Sequence, residues 1–162
     1  MKCIRRALWL LSCCLVQLPA WAAGTVSCSV AATGPIFGTY SPLSATPTYA
    51  NGSVTATCTL VSGGATTVNV VSSYSTGASN SYALRSMLSG TNKLSYNLFY
   101  DAAYTQIRGD GTGGSQTGGA TFDLTSSSRT QSATSVIYGR IPASQDVAAG
   151  AYADTIVVTI TY

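Results

Sequence analysis

A period-two alternation of apolar and polar residues recurs along this sequence and constrains its fold more than any other feature. Val26, Cys28 and Val30 alternate with serines, and residues 54–60 alternate apolar side chains with threonines. Because successive side chains of a strand point to opposite faces of a sheet, each segment predicts a strand with one buried face. No stretch after residue 22 keeps a helical period, so the pattern predicts an all-β chain.

Eight segments carry this strand signal, separated by turns rich in Gly, Pro, Ser and Asn. They cover residues 26–30, 54–60, 66–73, 84–88, 94–100, 122–125, 134–141 and 152–162. Seven or eight short strands of this kind predict a single β-sandwich domain.

The last segment is expected to form an open sheet edge, because no further strand follows to cover it. Its apolar face consists of Ile156, Val158, Ile160 and Tyr162. An uncovered apolar edge is a template for adding a strand from another molecule. We therefore predict that these four residues form a strand-accepting edge.

The N-terminus predicts a signal peptide over residues 1–22, which leaves residues 23–162 as the exported domain. Three basic residues precede an apolar run at residues 7–18, and Ala20-Trp21-Ala22 supplies a cleavage site after Ala22. Cleavage after Ala23 is the alternative. A second interpretation treats the sequence around Cys13 as a lipoprotein site, which would make Cys13 a lipid anchor.

Removal of this segment leaves Cys28 and Cys58 as the only cysteines. Both lie in the apolar phase of their strands, and export favours oxidation, so we predict a disulfide between two strands in the core. Closing a loop of about 30 residues stabilises a fold by roughly 3–4 kcal/mol. Two unpaired buried thiols are the alternative.

The charge balance excludes some partners. The chain has eight Lys+Arg and five Asp+Glu, a net charge of +3. Lys2, Arg5 and Arg6 belong to the predicted signal, so residues 23–162 carry 5 − 5 = 0. A neutral domain offers no electrostatic surface for nucleic acid. The apolar run at residues 7–18 is too short to span a bilayer, and no second such run follows, so we expect no membrane insertion.

The residue inventory argues against an enzyme. The chain has no His, and its acidic residues are five scattered Asp. Without His, and with both cysteines paired, the usual general base and nucleophile are missing. We predict no catalytic residue, no cofactor and no metal site. A hydrolase that uses two Asp is the weakest alternative.

Three motifs receive structural interpretations. Residues 109–114 match the G-x-G-x-x-G pattern of dinucleotide sites, but no helix follows. We expect residues 109–119 to form a flexible loop. Asn51-Gly52-Ser53 fits a glycosylation acceptor and is interpreted as a turn. The ten tyrosines suggest an interface, although rims of the core explain most of them.

Short motifs in a fixed order resemble the spore coat protein U domain, the fold of archaic Csu-type chaperone–usher pilins. The resemblance covers essentially all of residues 23–162, and the first residue that carries it is Cys28. Beyond the cysteines, the residues that carry it as a fold signature are Phe37, Gly38, Tyr40, Tyr96, Asn97, Tyr138, Gly139, Arg140, Pro142, Gly150, Tyr152 and Asp154.

This resemblance implies an incomplete immunoglobulin-like sandwich that lacks its last strand. It implies a structural or adhesive subunit of a surface fibre, or pilus, with a role in adhesion and biofilm. The implied partners are a periplasmic chaperone, an outer-membrane usher and neighbouring pilin subunits that donate a strand. The protein would pass through the periplasm to the cell surface or an extracellular fibre.

One departure concerns the segment before Cys28. Polymerising pilins carry a long alternating segment there, whereas residues 23–27 are too few to fill another subunit's groove. The chain is therefore expected to accept a strand rather than donate one, as a tip or minor subunit. The alternative is a self-contained secreted binding module of the same fold that does not polymerise.

Overall fold

The computed structural model describes residues 24–162, so the predicted signal peptide and Cys13 lie outside the described residues. Eight strands and one 3₁₀ turn, Gly77–Ser79, make up the regular structure of this part. The strands are β1 Thr25–Thr33, β2 Thr48–Ser62, β3 Thr66–Tyr74, β4 Arg85–Ser89, β5 Asn92–Phe99, β6 Gly118–Leu124, β7 Thr130–Ile141 and β8 Val158–Thr161.

The strands form two antiparallel sheets. One has the order β1-β2-β7-β5-β4 and the other the order β6-β3-β8. Their alternating inner faces pack together, which is how a sandwich buries two apolar surfaces at once. The prediction of an all-β, immunoglobulin-like sandwich of seven to eight strands is confirmed.

The predicted disulfide is present. Cys28 lies directly opposite Cys58 in the β1–β2 register, and the two cysteines are bonded. Cys58 is completely buried. The apolar phase of both strands therefore placed the two thiols on the same inner face, as the alternation predicts.

The core consists of two apolar clusters. The closed cluster lies beside the disulfide and contains Cys58, Leu60, Val68, Val70, Phe122 and Leu124. The open cluster lies at the other end of the sandwich and contains Val54, Tyr74, Met87, Leu94, Tyr96, Leu98, Ile137 and Ile141.

Two arginines, Arg85 and Arg108, are completely buried. Arg85 donates to the Ser75 and Arg108 carbonyls and to Asn97 Oδ1. Arg108 donates to the Phe99 and Val136 carbonyls, the Tyr74 hydroxyl and the Ser135 hydroxyl. Backbone oxygens thus replace the carboxylate partners that buried arginines usually need. Burial lowers the pKa of Arg85 from its ordinary value.

The last strand is shorter than predicted. The alternation predicts a strand over residues 152–162, but β8 covers only Val158–Thr161. Before it, Ala153 forms an isolated bridge with Leu88, and the Asp154 carboxylate accepts from the Ala78 amide. Residues 153 and 154 thus bond to β4 and to the 3₁₀ turn rather than to a ladder with β3, so alternation alone overestimated the strand.

The prediction of a turn at Asn51-Gly52-Ser53 is wrong, because these residues are part of β2. A Cβ atom on Gly52 would lie 2.3 Å from the Thr33 carbonyl oxygen and 2.9 Å from the Pro35 nitrogen. Glycine at position 52 therefore allows the backbone that follows β1 to approach β2 closely.

The glycine-rich segment is more ordered than predicted. Between β5 and β6 the Gly109 amide donates to the Gln116 carbonyl, and the Gln116 amide donates to the Ile107 carbonyl. The last two residues of the segment, Gly118 and Gly119, begin β6. Backbone hydrogen bonds thus order a sequence whose composition suggested a flexible loop.

Candidate functional site

An apolar cleft of about 1140 Å³ opens between the two sheets at the end that holds the open cluster. Residues 34–40 form one wall, and residues 147–156 with Val158 form the other. β1 is the edge strand of one sheet and β8 is the edge strand of the other. The cleft therefore lies beside the terminal strands of the two sheets.

The floor of this cleft is the core itself. Six residues of the open cluster line it besides Tyr96, and each is at most 9% exposed. They are Tyr74, Met87, Leu94, Leu98, Ile137 and Ile141. An occupant of the cleft would therefore contact the hydrophobic core directly, without an intervening layer of the protein.

Phe37 anchors the first wall. Its ring packs edge-on against Tyr96, with the ring centroids 6.0 Å apart. A Cβ atom at Gly139 would lie 2.7 Å from the Phe37 ring and 3.0 Å from Pro35. The wall can lie on β7 only because residue 139 has no side chain.

Tyr40 fixes the end of the same wall. Its hydroxyl donates to the Pro142 carbonyl at 3.1 Å and accepts from the Gln145 amide at 2.8 Å. Gln145 in turn bonds both backbone groups of Ser95 through its side chain. These contacts join the first wall to β5 and to the segment after β7.

The second wall is joined to β4. Ala153 and Leu88 exchange two backbone hydrogen bonds. A Cβ atom at Gly150 would lie 2.5 Å from the Ser89 hydroxyl, so the wall approaches β4 closely. Tyr152 donates to the Ala148 carbonyl and closes a local turn.

A tyrosine–carboxylate contact interrupts the apolar lining. The Tyr96 hydroxyl donates to Asp154 Oδ2 at 2.7 Å, and Asp154 Oδ1 accepts from the Ala78 and Thr155 amides. Burial raises the pKa of the Tyr96 phenol, and the bond to Asp154 raises it further. The phenol therefore stays protonated as the donor. A Cβ atom at Gly77 would lie 2.1 Å from Asp154 Oδ2, so this position needs glycine.

The four predicted edge residues do not share one environment. Ile156 and Val158 line the cleft. Ile160 packs against the closed cluster, and Tyr162 is 55% exposed. Side chains two residues apart share a face, but the sandwich divides this face between two clusters.

Seven of the twelve fold-signature residues line the cleft, and five lie elsewhere. Asn97 accepts from Arg85 and donates to the Tyr82 and Ala83 carbonyls. Pro142 accepts from Tyr40 behind the wall. Gly139 lies on the inner face of β7 beneath Phe37 and Pro35, and Tyr138 and Arg140 lie on the opposite face.

Sequence reasoning missed much of the cleft. It did not assign the floor residues, nor Ile36, which is 85% exposed in the first wall, nor Val147 and Ala148 in the second. An apolar residue within a Gly- and Pro-rich loop was the available signal for Ile36. The floor residues carried none, because their alternation is that of any buried strand.

The arrangement can recognise an apolar chain. Among residues 24–162, no cluster of Cys and Asp side chains has the grouping of a metal site. No helix within these described residues is long and apolar enough to cross a membrane. The cleft combines an apolar floor with a single tyrosine–carboxylate pair.

Comparisons with known proteins place the chain in a family. The model of the Spore Coat Protein U domain matches residues 14–159. No curated protein matches significantly. Among solved structures, the fold resembles a chain of the CsuC–CsuE chaperone–tip adhesion subunit pre-assembly complex from the archaic chaperone–usher Csu pili of Acinetobacter baumannii. The TM-score is 0.53 at 20% identity. The match covers 85% of this chain and 40% of that chain. Because the family model spans most of its length, this chain belongs to the Spore Coat Protein U domain family.

Proposed function

We propose that this protein is a structural or adhesive subunit of a surface pilus, assembled by a chaperone–usher route. The observation that carries the proposal is the apolar cleft, whose floor is the hydrophobic core. Family membership supports it, and the fold shared with a chain of a chaperone–adhesion subunit complex agrees with it.

The cleft would bind a donated β-strand. β8 pairs with β3 along one edge, and no strand among residues 24–162 pairs with its other edge. A strand added there would satisfy the backbone groups of β8. Its alternate apolar side chains would enter the cleft and cover the floor residues. The immunoglobulin-like sandwich is thus proposed to be incomplete, with its last strand supplied by another chain.

The proposed partners act in sequence. A periplasmic chaperone fills the cleft first, and a neighbouring pilin replaces it as the subunit passes an outer-membrane usher. The protein is exported through its signal peptide at residues 1–22 and ends in an extracellular fibre. The role is binding and assembly rather than catalysis.

A donor-peptide experiment tests the proposal. The probe is a synthetic peptide of alternating Val and Thr, and its control has the same composition in blocks of adjacent valines. We expect the alternating peptide to raise the midpoint of thermal unfolding and the block peptide to leave it unchanged. Equal stability with and without the alternating peptide would favour the self-contained binding module instead.

A matched pair of variants locates the effect. Val158→Asp puts a charge on the cleft side of β8, whereas Thr159→Asp puts it on the exposed side of the same strand. We expect Val158→Asp to abolish stabilisation by the peptide and Thr159→Asp to retain it. Retained stabilisation in Val158→Asp would place the added strand elsewhere.

A further inference from the structure

An aromatic cluster lies on the outer face of the five-stranded sheet, and its role is not explained by strand addition. Tyr104 packs against Tyr49, Phe99 and Tyr138, with ring centroids 4.7, 5.5 and 6.2 Å apart respectively. The Arg140 guanidinium lies over the Phe99 ring at 5.0 Å and over the Tyr104 ring at 5.8 Å. We call these five residues the outer aromatic cluster.

This cluster is separate from the cleft. Ile137, Gly139 and Ile141 of β7 are buried on the inner face, and Ile137 and Ile141 line the cleft. Tyr138 and Arg140 alternate with them and therefore point outward. A ligand at the outer aromatic cluster would not compete with a strand in the cleft.

Arg140 differs from the two buried arginines. Arg85 and Arg108 donate to several protein oxygens. In the part of the chain that the structure describes, the Arg140 guanidinium stacks on two rings and donates no hydrogen bond to protein. Its planar fork of donors is therefore oriented by the rings while its N–H groups remain available.

The position of Tyr104 is imposed by its loop. Its backbone has φ = 59°, which a bulky residue rarely adopts. The Asp101 carboxylate braces this loop by accepting from the Thr105 and Gln106 amides and the Thr105 hydroxyl. An unfavourable conformation held by its surroundings is common at binding sites.

The rings are accessible as well as ordered. Tyr49 is 51% exposed, and Tyr104 and Tyr138 are partly exposed. Within the described residues, none of the three phenol hydroxyls hydrogen-bonds to protein. The cluster therefore presents aromatic faces, free hydroxyls and the Arg140 guanidinium on a single surface.

We propose that the outer aromatic cluster binds a saccharide that carries a carboxylate. The flat C–H face of a sugar ring would pack on the Tyr49 and Tyr104 rings, and the carboxylate would pair with Arg140. A single guanidinium on a domain with no net charge fits one carboxylate better than a nucleic acid backbone, which needs several positive groups.

The test measures binding of trigalacturonic acid to the purified protein by titration calorimetry. Its fully methyl-esterified form is the matched neutral probe. We expect the acid to bind at least about tenfold more tightly than the ester, since hydrogen bonds to charged groups are the stronger ones. Equal affinity for acid and ester, or no binding of the acid, would overturn the proposal.

Variants assign the site. Arg140→Gln is expected to weaken binding of the acid about tenfold and to leave any binding of the ester unchanged. Arg129→Gln, which makes the same charge change immediately before the start of β7, should bind like the parent. Should Arg140→Gln fail to fold, Tyr49→Ala removes a half-exposed ring and should also weaken binding. Unchanged binding in Tyr49→Ala would contradict the assignment.

One further variant separates this inference from the proposed function. Val158→Asp should abolish stabilisation by the donor peptide while leaving binding of trigalacturonic acid intact. Loss of both activities would show that the ligand occupies the cleft, which would overturn the proposal for the outer aromatic cluster.

Discussion

The closed cluster and the open cluster are built from similar apolar side chains, but they are covered differently. The closed cluster lies between β2 on one sheet and β3 with β6 on the other, beside the Cys28–Cys58 disulfide. The open cluster is covered by two irregular wall segments, which leave the cleft of about 1140 Å³ over its floor.

The difference concerns cover rather than composition. Leu124 in the closed cluster and Ile141 in the open cluster are both essentially inaccessible to water. At the closed end, the protein's own strands provide the cover. At the open end, within residues 24–162, irregular wall segments provide the cover and leave a cleft above the floor, which is the space that the proposed donor strand would fill.

The largest expected effect is at the closed end. Replacing both Cys28 and Cys58 with Ala should lower the free energy of unfolding by about 3–4 kcal/mol, because a loop of about 30 residues is no longer constrained in the unfolded chain. Urea denaturation measures the loss. A loss below about 1 kcal/mol would show that the closed cluster does not depend on the disulfide.

Two valines on adjacent strands compare the clusters directly. Val70 is buried in the closed cluster, so Val70→Ala should cost about 2–3 kcal/mol. Val158 borders the cleft and is only partly buried, so Val158→Ala should cost about 1 kcal/mol in the free protein.

The same pair measures what strand addition changes. With the alternating donor peptide bound, the cost of Val158→Ala should rise towards that of Val70→Ala, while the cost of Val70→Ala stays constant. Thermal unfolding with and without the peptide compares the two. If the difference between the costs of the two substitutions did not change on peptide binding, the added strand would not bury Val158.

A glycine variant alters the first wall of the cleft. Gly139→Ala would push a Cβ atom against Phe37 and Pro35, and it should cost about 1–2 kcal/mol through crowding. It should also weaken binding of the donor peptide, because the wall must shift. Gly34→Ala is the control, since nothing lies within 4 Å of its Cβ position. Equal effects at both glycines would argue against a rigid wall.

The smallest effect concerns pH at the loop that holds Tyr104. Hydrogen bonds from the Gln106 and Thr105 amides and the Thr105 hydroxyl lower the pKa of Asp101 below its ordinary value of 3.8. A lowered folded-state pKa stabilises the fold above the unfolded value, and this stabilisation is lost as the pH falls through the folded value. The destabilisation caused by Asp101→Asn should therefore be present at pH 7 and fade below about pH 4. An effect that persists unchanged in acid would show that the charge is not responsible.

Local patterns predicted the closed cluster better than the open one. The disulfide and the strands that carry it follow from alternation around Cys28 and Cys58, because pairing between neighbouring strands depends on side-chain period. The strand at residues 152–162 was overestimated, because the contacts of Ala153 and Asp154 come from β4 and the 3₁₀ turn. Those partners are distant in sequence and leave no local signal.

The cleft could be predicted only in part. Ile156 and Val158 were assigned from alternation, and Phe37, Tyr40, Tyr96 and Asp154 from the family resemblance. The floor depends on which buried residues border the cleft in the fold, and a local sequence pattern does not encode where the irregular segments leave a space. The stacking around Arg140 was missed for a related reason, since it joins β2, β5, β7 and one loop.

The pairing of β8 with β3 also limits how fast this chain can fold. Thr161 pairs with Val71, which is 161 − 71 = 90 positions earlier in the chain. The three-stranded sheet therefore cannot be completed until a long loop has closed, and contacts of this range make folding slow. Until then β3 presents an unpaired edge to other unfolded chains, which invites aggregation. A helper that holds this region early would act on the folding rate as well as on the finished structure.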